Sequence, residues 1–472
     1  MTAGEVAAID LGATSGRVIA GRVGPDVLDA RQVARFPNTP VHTGDGLHWN
    51  VLGLYGAALD GLREAVRAHP AIASIGVDSW AVDYALLRGS RMLGAPFHYR
   101  DERIDRGVAA VHERMPHPAL FARNGLQFLP FTTLYQLAAE DPDVLAFAET
   151  ALLIPDLIGY WLTGRAVAER TNASTTGLLR GGAWDDELVQ ALGLPRGILP
   201  TLVSPGERIG MLRSDVSAAL RAHRDLAVTA VGSHDTASAV VAVPMDAEHA
   251  AYISCGTWGL VGVEVPAPVL TPDVLAANFT NEGGVDARVR LLHNVMGLWV
   301  LSESVRRWEQ EDAESIDLPA LLESAAGVPA AEVPVFDVED PRFLPPGDIP
   351  ARIAAWCAEH AVAAPRTRAE YARSIIESLA QAFTDAVATA ARVSGVEVRT
   401  IHIVGGGAQG ELLCQRIADR AGLPVLAGPV EATALGNLLV QARAAGFVTG
   451  SLEALRDLVA RTHAPRRFTP RS

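Results

Sequence analysis

The sequence predicts an α/β protein built of two similar halves, and three observations predict it. Near the N-terminus a short apolar strand, Val6 to Ile9, runs into a turn of small residues, Asp10-Leu11-Gly12-Ala13-Thr14-Ser15-Gly16, and returns as a strand over Arg17 to Val23. Strand, glycine turn and strand form a β-hairpin. In the second half the device recurs with different letters: Ala251 to Ser254, then Cys255-Gly256-Thr257-Trp258-Gly259, then Leu260 to Val265. Between and after the hairpins, segments of helical spacing alternate with short apolar runs. Two such hairpins suggest a duplication with one copy per domain.

Length and composition agree with this reading. A chain of 472 residues, 49% hydrophobic and 20% charged, has the make-up of a globular protein of two or three domains. Asp and Glu number 54 against 40 Lys and Arg, a net charge of −14. That balance argues against a general affinity for nucleic acid or anionic membrane, and leaves room for a local cationic pocket that takes a phosphate. Cys255, Cys357 and Cys414 are too few and too scattered for a disulfide framework or a zinc knuckle. The opening MTAGEVAAID has neither the basic start nor the continuous apolar core of a secretion signal, and no apolar run approaches a membrane span. A cytoplasmic protein, monomer or homodimer, is expected.

Taken in order, Asn50 is a helix N-cap, followed by Val51, Leu54, Ala58, Leu62 and Val66 at helical spacing. Ile72 to Val77 is a buried strand that runs into Asp78-Ser79-Trp80. Ala227 to Val231 is another, leading through Gly232-Ser233-His234-Asp235-Thr236-Ala237-Ser238 into a helix that Ser233 or Asp235 caps. The domain boundary falls between Pro244 and His249, giving domains over 1–245 and 246–472. Residues 325 to 350, rich in proline and acid, form a surface excursion. Tyr371, Ile375, Leu379, Phe383 and Val387 step along a long helix. Thr400 to Val404 is a strand, Gly405-Gly406-Gly407 a turn, and a helix begins near Glu411.

Several of these segments carry chemistry. The turn Asp10 to Arg17 lets backbone N–H groups approach a phosphate, with Thr14 and Ser15 adding hydroxyl donors and Arg17 a charged fork. Asp10 is suited to hold Mg²⁺ through water. A plain hairpin turn uses the same residue types. Thr257 is a hydroxyl donor to phosphate in the second turn, and Cys255 beside it reads as a buried thiol rather than a nucleophile. Gly405-Gly406-Gly407 brings backbone close to a flat or anionic ligand, or simply caps a helix. Asp78, Trp80, Asp83 and Tyr84 combine acceptors with aromatic faces, as a sugar site does, and a buried core cluster would look the same. Asp235 is a candidate general base and His234 a substrate ligand. A Ser-His-Asp hydrolase triad from Ser233, His234 and Asp235 is geometrically implausible, because adjacent side chains do not converge.

In combination these motifs resemble the FGGY family of carbohydrate kinases, within the actin-like ATPase superfamily. The resemblance is carried by Ala8 to Arg17, Gly76 to Asp83, Tyr99-Arg100-Asp101, Thr133 to Leu137, Ile154-Pro155-Asp156 and Thr171 to Thr176. It continues through Ser233 to Ser238, Ser254 to Trp258, Asn294 to Trp299, Ile403 to Gly407 and Gly428 to Asn437. The blocks stand in family order and span nearly the whole chain. The resemblance implies two actin-like (ribonuclease H-like) domains, the N-terminal one binding sugar and the C-terminal one nucleotide, with a cleft between them where sugar and ATP meet. It places Ala13, Thr14, Ser15, Gly16, Arg17 and Thr257 on the ATP phosphates and Gly405 and Gly406 on the adenosine. It places Ala81, His234, Asp235, Thr236 and Asn294 on the sugar, with Asp235 as catalytic base. The implied reaction is Mg·ATP-dependent phosphorylation of L-rhamnulose at its C1 hydroxyl. The alternatives are another ketose or polyol, such as fuculose or xylulose, and a non-catalytic sugar sensor; loss of Asp10 or Asp235 would mark the sensor, and both are present. Two positions depart from the family: Ala81 stands where relatives have Gly, and Ser302 where a nucleotide-side Gln is frequent.

Overall fold

A computed structural model describes residues 2–222 and 224–471. They form two compact units. The first takes the chain up to Pro244 together with Val265–Leu291 and Ala432–His463; the second takes Met245–Glu264, Leu292–Glu431 and the residues from Ala464 on. Neither unit is one continuous half of the sequence. The reason is local packing. The helix Ala432–Ala444 lies against the helix Asp235–Val241 so closely that a Cβ on Gly436 would stand 1.8 Å from the Ser238 carbonyl oxygen. Only glycine permits that approach.

The first unit is organised on a six-stranded sheet. Its order is Arg208–Met211, Ala227–Thr229, Ile72–Ser79, Gly4–Leu11, Ser15–Gly24, Val27–Pro37. Gly4–Leu11 pairs antiparallel with Ser15–Gly24 and parallel with Ile72–Ser79. Both strands are longer than the sequence suggested, so Asp10 lies within a strand and the turn shrinks to Gly12-Ala13-Thr14. The middle of the sheet is covered on both faces, which is why Val6 to Leu11 are all buried. Helix Val51–Ala68 packs on the face carrying Val18, and helix Ala432–Ala444 on the face carrying Gly21. Asn50 caps the first of these, accepting from the Gly53 amide at 3.1 Å, and Val51, Leu54, Ala58, Leu62 and Val66 form its buried stripe.

The second unit repeats the plan. Six strands of a seven-stranded sheet lie wholly or mainly in it, in the order Val289–Met296, Trp258–Val265, Ala250–Cys255, Thr400–Val404, Val425–Ala427, Arg466–Phe468. Here too the first strand of a hairpin, Ala250–Cys255, is antiparallel to its mate and parallel to the strand on its other side. The long helix is Arg368–Ser394, burying Ile375, Leu379, Phe383 and Val387. Residues 325 to 350 differ from expectation. Phe336, Val338 and Phe343 are buried, and the Phe336 amide donates to Ser378 Oγ at 2.9 Å, so apolar anchors hold this segment down along its length. Among the described residues no helix is long and apolar enough to cross a membrane.

Candidate active site

In the first unit, three chain segments end side by side. Asp10 and Asp78 are paired positions on neighbouring parallel strands. Ser79 bridges to His234, its amide donating to the Ser233 carbonyl at 2.9 Å, which sets Asp235 at the start of its helix just beyond. Ligands of open α/β sheets gather at such carboxyl ends of strands. The three carboxylates differ in environment. Asp78 is wholly buried and accepts from Asn437 Nδ2. Burial first, and the charges of Asp10 and then Asp235, push its pKa well above the usual range. Asp10 is almost buried and lies 3.7 Å from Arg17. Asp235 keeps 32% of its side chain accessible, and Thr236 Oγ1 donates to it at 3.1 Å. Of the three it is the one open to a ligand.

The loop that presents Asp235 is held from below. Glu169 is buried and accepts from the Ser233 amide and hydroxyl, each at 2.9 Å, as well as from the Thr171 amide and hydroxyl. Burial raises the Glu169 pKa, and these donors oppose the rise. Asp156 in turn accepts from the Glu169 amide at 3.1 Å; its own pKa is raised by burial and then by the Glu169 charge. Ser233 is thereby occupied, and neither it nor Asp235 caps the helix; His234 is the N-cap residue and makes no side-chain cap.

The first hairpin turn leaves Ala13, Ser15 and Arg17 half-buried, Thr14 exposed and Gly16 buried. Asn38 closes it, donating from Nδ2 to the Gly12 carbonyl at 2.9 Å and from its amide to the Thr14 carbonyl at 3.0 Å. Beyond Trp80, Ala81 is half-buried and opens a tight turn. The Asp83 amide donates to the Ala81 carbonyl at 2.9 Å, with Val82 between them at a φ of 69°. A β-branched residue there is strained. The core reading of the aromatics prevails: Trp80 and Tyr84 are buried, Trp80 donating to Asp83 at 3.0 Å and Tyr84 to Glu140 at 2.7 Å. Asp83 also accepts from Trp49 and Gln136, and burial lifts its pKa to about 6 against those donors.

In the second unit, Thr257 sits half-exposed at the tip of its hairpin. The Leu298 amide donates to the Gly256 carbonyl at 2.9 Å, and the Trp299 amide to the Thr257 carbonyl at 3.3 Å. Gly405 follows the neighbouring parallel strand with a φ of 78°, and a Cβ there would lie 2.8 Å from the Cys255 carbonyl oxygen. Glycine is required on both counts. The hairpin tip and the turn at Gly405 and Gly406 are thus packed together. Cys255 is fully buried, and burial pushes its thiol up to about 12, which excludes a thiolate nucleophile. Asn294 is half-buried on the strand Val289–Met296, on the same side as Arg290 by the period of two. Ser302 is exposed on the following helix.

Asn38, Glu169, Glu282 and Arg290 were not singled out from the sequence. Glu282 adjoins Gly283-Gly284 and Glu169 stands two residues before Thr171 to Thr176, but a lone acid, amide or arginine gives no signal until folding brings its partner near.

Comparison with known proteins identifies the class. The family model "FGGY family of carbohydrate kinases, N-terminal domain" matches residues 6–242, and its C-terminal counterpart matches residues 251–445. The chain belongs to this family. It is 42% identical to a rhamnulokinase of Pectobacterium atrosepticum, covering 100% of this chain and 94% of the relative. It is 39% identical to a rhamnulokinase of an Enterobacter species, covering 100% and 96%. The ligand-bound xylulose kinase of Lactobacillus acidophilus shares the fold, with a TM-score of 0.78 at 17% identity over 99% of this chain and 94% of that one. So does the ADP-bound glycerol kinase of Plasmodium falciparum, with 0.76 at 14% identity over 100% and 94%. The architecture is the two-domain, actin-like one of sugar kinases, and as a carbohydrate kinase the chain takes a sugar and ATP as substrates.

Proposed function

We propose that this kinase transfers the γ-phosphoryl group of ATP to the C1 hydroxyl of L-rhamnulose, giving L-rhamnulose 1-phosphate and ADP, with Asp235 as the general base. Full-length identity of 39–42% to rhamnulokinases supports the acceptor. The observation that carries the mechanism is the setting of Asp235, an accessible carboxylate on a rigidly held loop beside two more buried ones. The sugar hydroxyl gives its proton to Asp235 as its oxygen attacks the γ-phosphorus, and the phosphorus–oxygen bond to ADP breaks. A carboxylate at a helix start is a weak base, which phosphoryl transfer tolerates because its transition state is loose. Ala81, His234, Thr236 and Asn294 bind the sugar. Ala13 to Arg17 and Thr257 bind the phosphates, and Gly405 and Gly406 the adenosine.

The donors on Asp10 fit a hard divalent cation. They are oxygens beside a second buried carboxyl, whose pKa burial and then the Asp10 charge raise. Among the described residues no three His, Cys, Asp or Glu side chains are grouped for direct coordination, so Asp10 would hold Mg²⁺ through water. The ion would offset the phosphate charge.

The test is ADP release measured over a panel of ketoses. L-rhamnulose should give the highest kcat/KM. A higher value for L-fuculose or D-xylulose would overturn the choice of sugar, and ADP release that no ketose stimulates would overturn the reading altogether.

A further inference from the structure

We propose that Arg290 is a positioning residue that holds the His234 imidazole as the tautomer protonated on Nε2, so that His234 offers a fixed N–H donor toward Asp235 and the sugar.

The argument rests on a buried trio within the first unit. Arg290 is 0% exposed. Its Nη2 lies 3.1 Å from His234 Nδ1 and 3.0 Å from Glu282 Oε2, and its Nε donates to the Gly283 carbonyl at 3.0 Å. A guanidinium only donates. Nδ1 facing Nη2–H must therefore be the acceptor, and the ring proton falls to Nε2. Glu282 lies 3.3 Å from the same Nδ1 and competes for the opposite outcome. Its carboxylate already accepts from Arg290 Nη2 at 3.0 Å, the shorter of its two contacts. Were the proton on Nδ1, that N–H would abut an arginine N–H, and the bare Nε2 lone pair would face Asp235 Oδ1, 3.5 Å away. Two repulsions would replace one. In the assigned tautomer only the Nδ1 lone pair beside Glu282 is unfavourable, and the Arg290 Nη2 group donates to both.

The consequence at the site is directional. Nε2–H at 3.5 Å from Asp235 is too far for a good hydrogen bond, so this proton can turn to a substrate oxygen seated beside the pair and within reach of both. A fixed donor selects a sugar with an oxygen at that point and disfavours one without it. The role toward the sugar rests on the proposed function; the tautomer does not.

Long-range ¹H–¹⁵N correlation spectra of the full-length protein with ¹⁵N-labelled histidine give the direct readout, the His234 signal being assigned by its loss in His234→Asn. Without ligand, Nε2 should be protonated and Nδ1 bare. A proton on Nδ1, or on both nitrogens, overturns the proposal. In Arg290→Met the proton should move to Nδ1 or both nitrogens should be protonated; an unchanged Nε2–H signal overturns it. Removing one member of a buried ion pair can unfold a protein, and the wild-type spectrum remains decisive if Arg290→Met does not fold. The variant Arg290→Met/Glu282→Leu, which removes both charges, should raise KM for the ketose about tenfold to a hundredfold, the loss of one oriented hydrogen bond, with KM for ATP within about twofold. Equal changes in both overturn a role specific to the sugar side. A correct tautomer with no ketose turnover would fail the proposed function alone.

Discussion

Asp235 differs from its neighbours Asp10 and Asp78 in one respect that decides its role: it is neither sealed nor ion-paired to an arginine. A general base contributes about 10²–10⁴ in rate. Asp235→Asn should therefore fold with unchanged thermal stability, bind sugar, and lose kcat by about that factor; a loss below tenfold would remove Asp235 from the role. Asp83 shows the contrasting use of a carboxyl. It clamps two indoles and Gln136 in the core, and its pKa is lifted from the ordinary 3.8 to about 6. A raised acid binds its proton more tightly in the folded state. Its stabilising effect is therefore complete below pH 3.8 and is lost as pH rises through about 6. In urea titrations, Asp83→Asn should be less stable than the wild type, having one acceptor for three donors. The gap should narrow by about 2–3 kcal/mol between pH 4 and pH 7; a constant gap would show that Asp83 does not titrate in that window.

At the scale of elements, the hairpins, the Asn50 cap, the helix of four-residue steps and the strand ending at Gly405 were legible, because each is specified within about a dozen residues by apolar period and by glycine. Strand ends were less so. Asp10 reads as part of a polar turn, yet its pairing with Arg17 and Asp78 keeps it in the sheet. The support of the loop that presents Asp235 was not legible at all: Glu169 reaches Ser233 across 64 positions, and Arg290 reaches His234 across 56. The block Ala432 to Asn437 was legible as a motif but not as a packing device. Gly436→Ala drives a methyl into the Ser238 carbonyl at 1.8 Å, on the helix that begins with Asp235. Overpacking of this kind costs about 1–3 kcal/mol or more. The variant should show a lowered Tm and, if Asp235 on the shifted helix is the proposed base, a lowered kcat; a Tm within about one degree of the wild type would mean the two helices separate freely.

On the scale of the whole molecule, the two sheets share a plan, a hairpin whose first strand is flanked by a parallel neighbour. A shared plan does not make the two halves of the sequence independent. The sheet of the first unit has one face covered by helix Ala432–Ala444, whose Leu435, Leu438 and Leu439 are buried. Gln441 Nε2 donates from it to the Ala7 carbonyl at 2.9 Å, and Asn437 donates to Asp78. From the next helix Arg456 donates to the Val240 carbonyl at 3.1 Å and Arg461 to that of Pro25 at 3.1 Å. A fragment ending at residue 245 lacks all of this. It would expose the apolar face around Gly21 and take from Asp78 the Asn437 donor that it has in the full chain. Residues 1–245 alone should therefore bind a hydrophobic dye, unfold without a sharp transition and bind no sugar. Joining residues 432–463 to that fragment through a flexible linker should restore part of the cooperativity. A sharp thermal transition in the bare fragment, near that of the full chain, would show that the N-terminal sheet folds without its C-terminal cover.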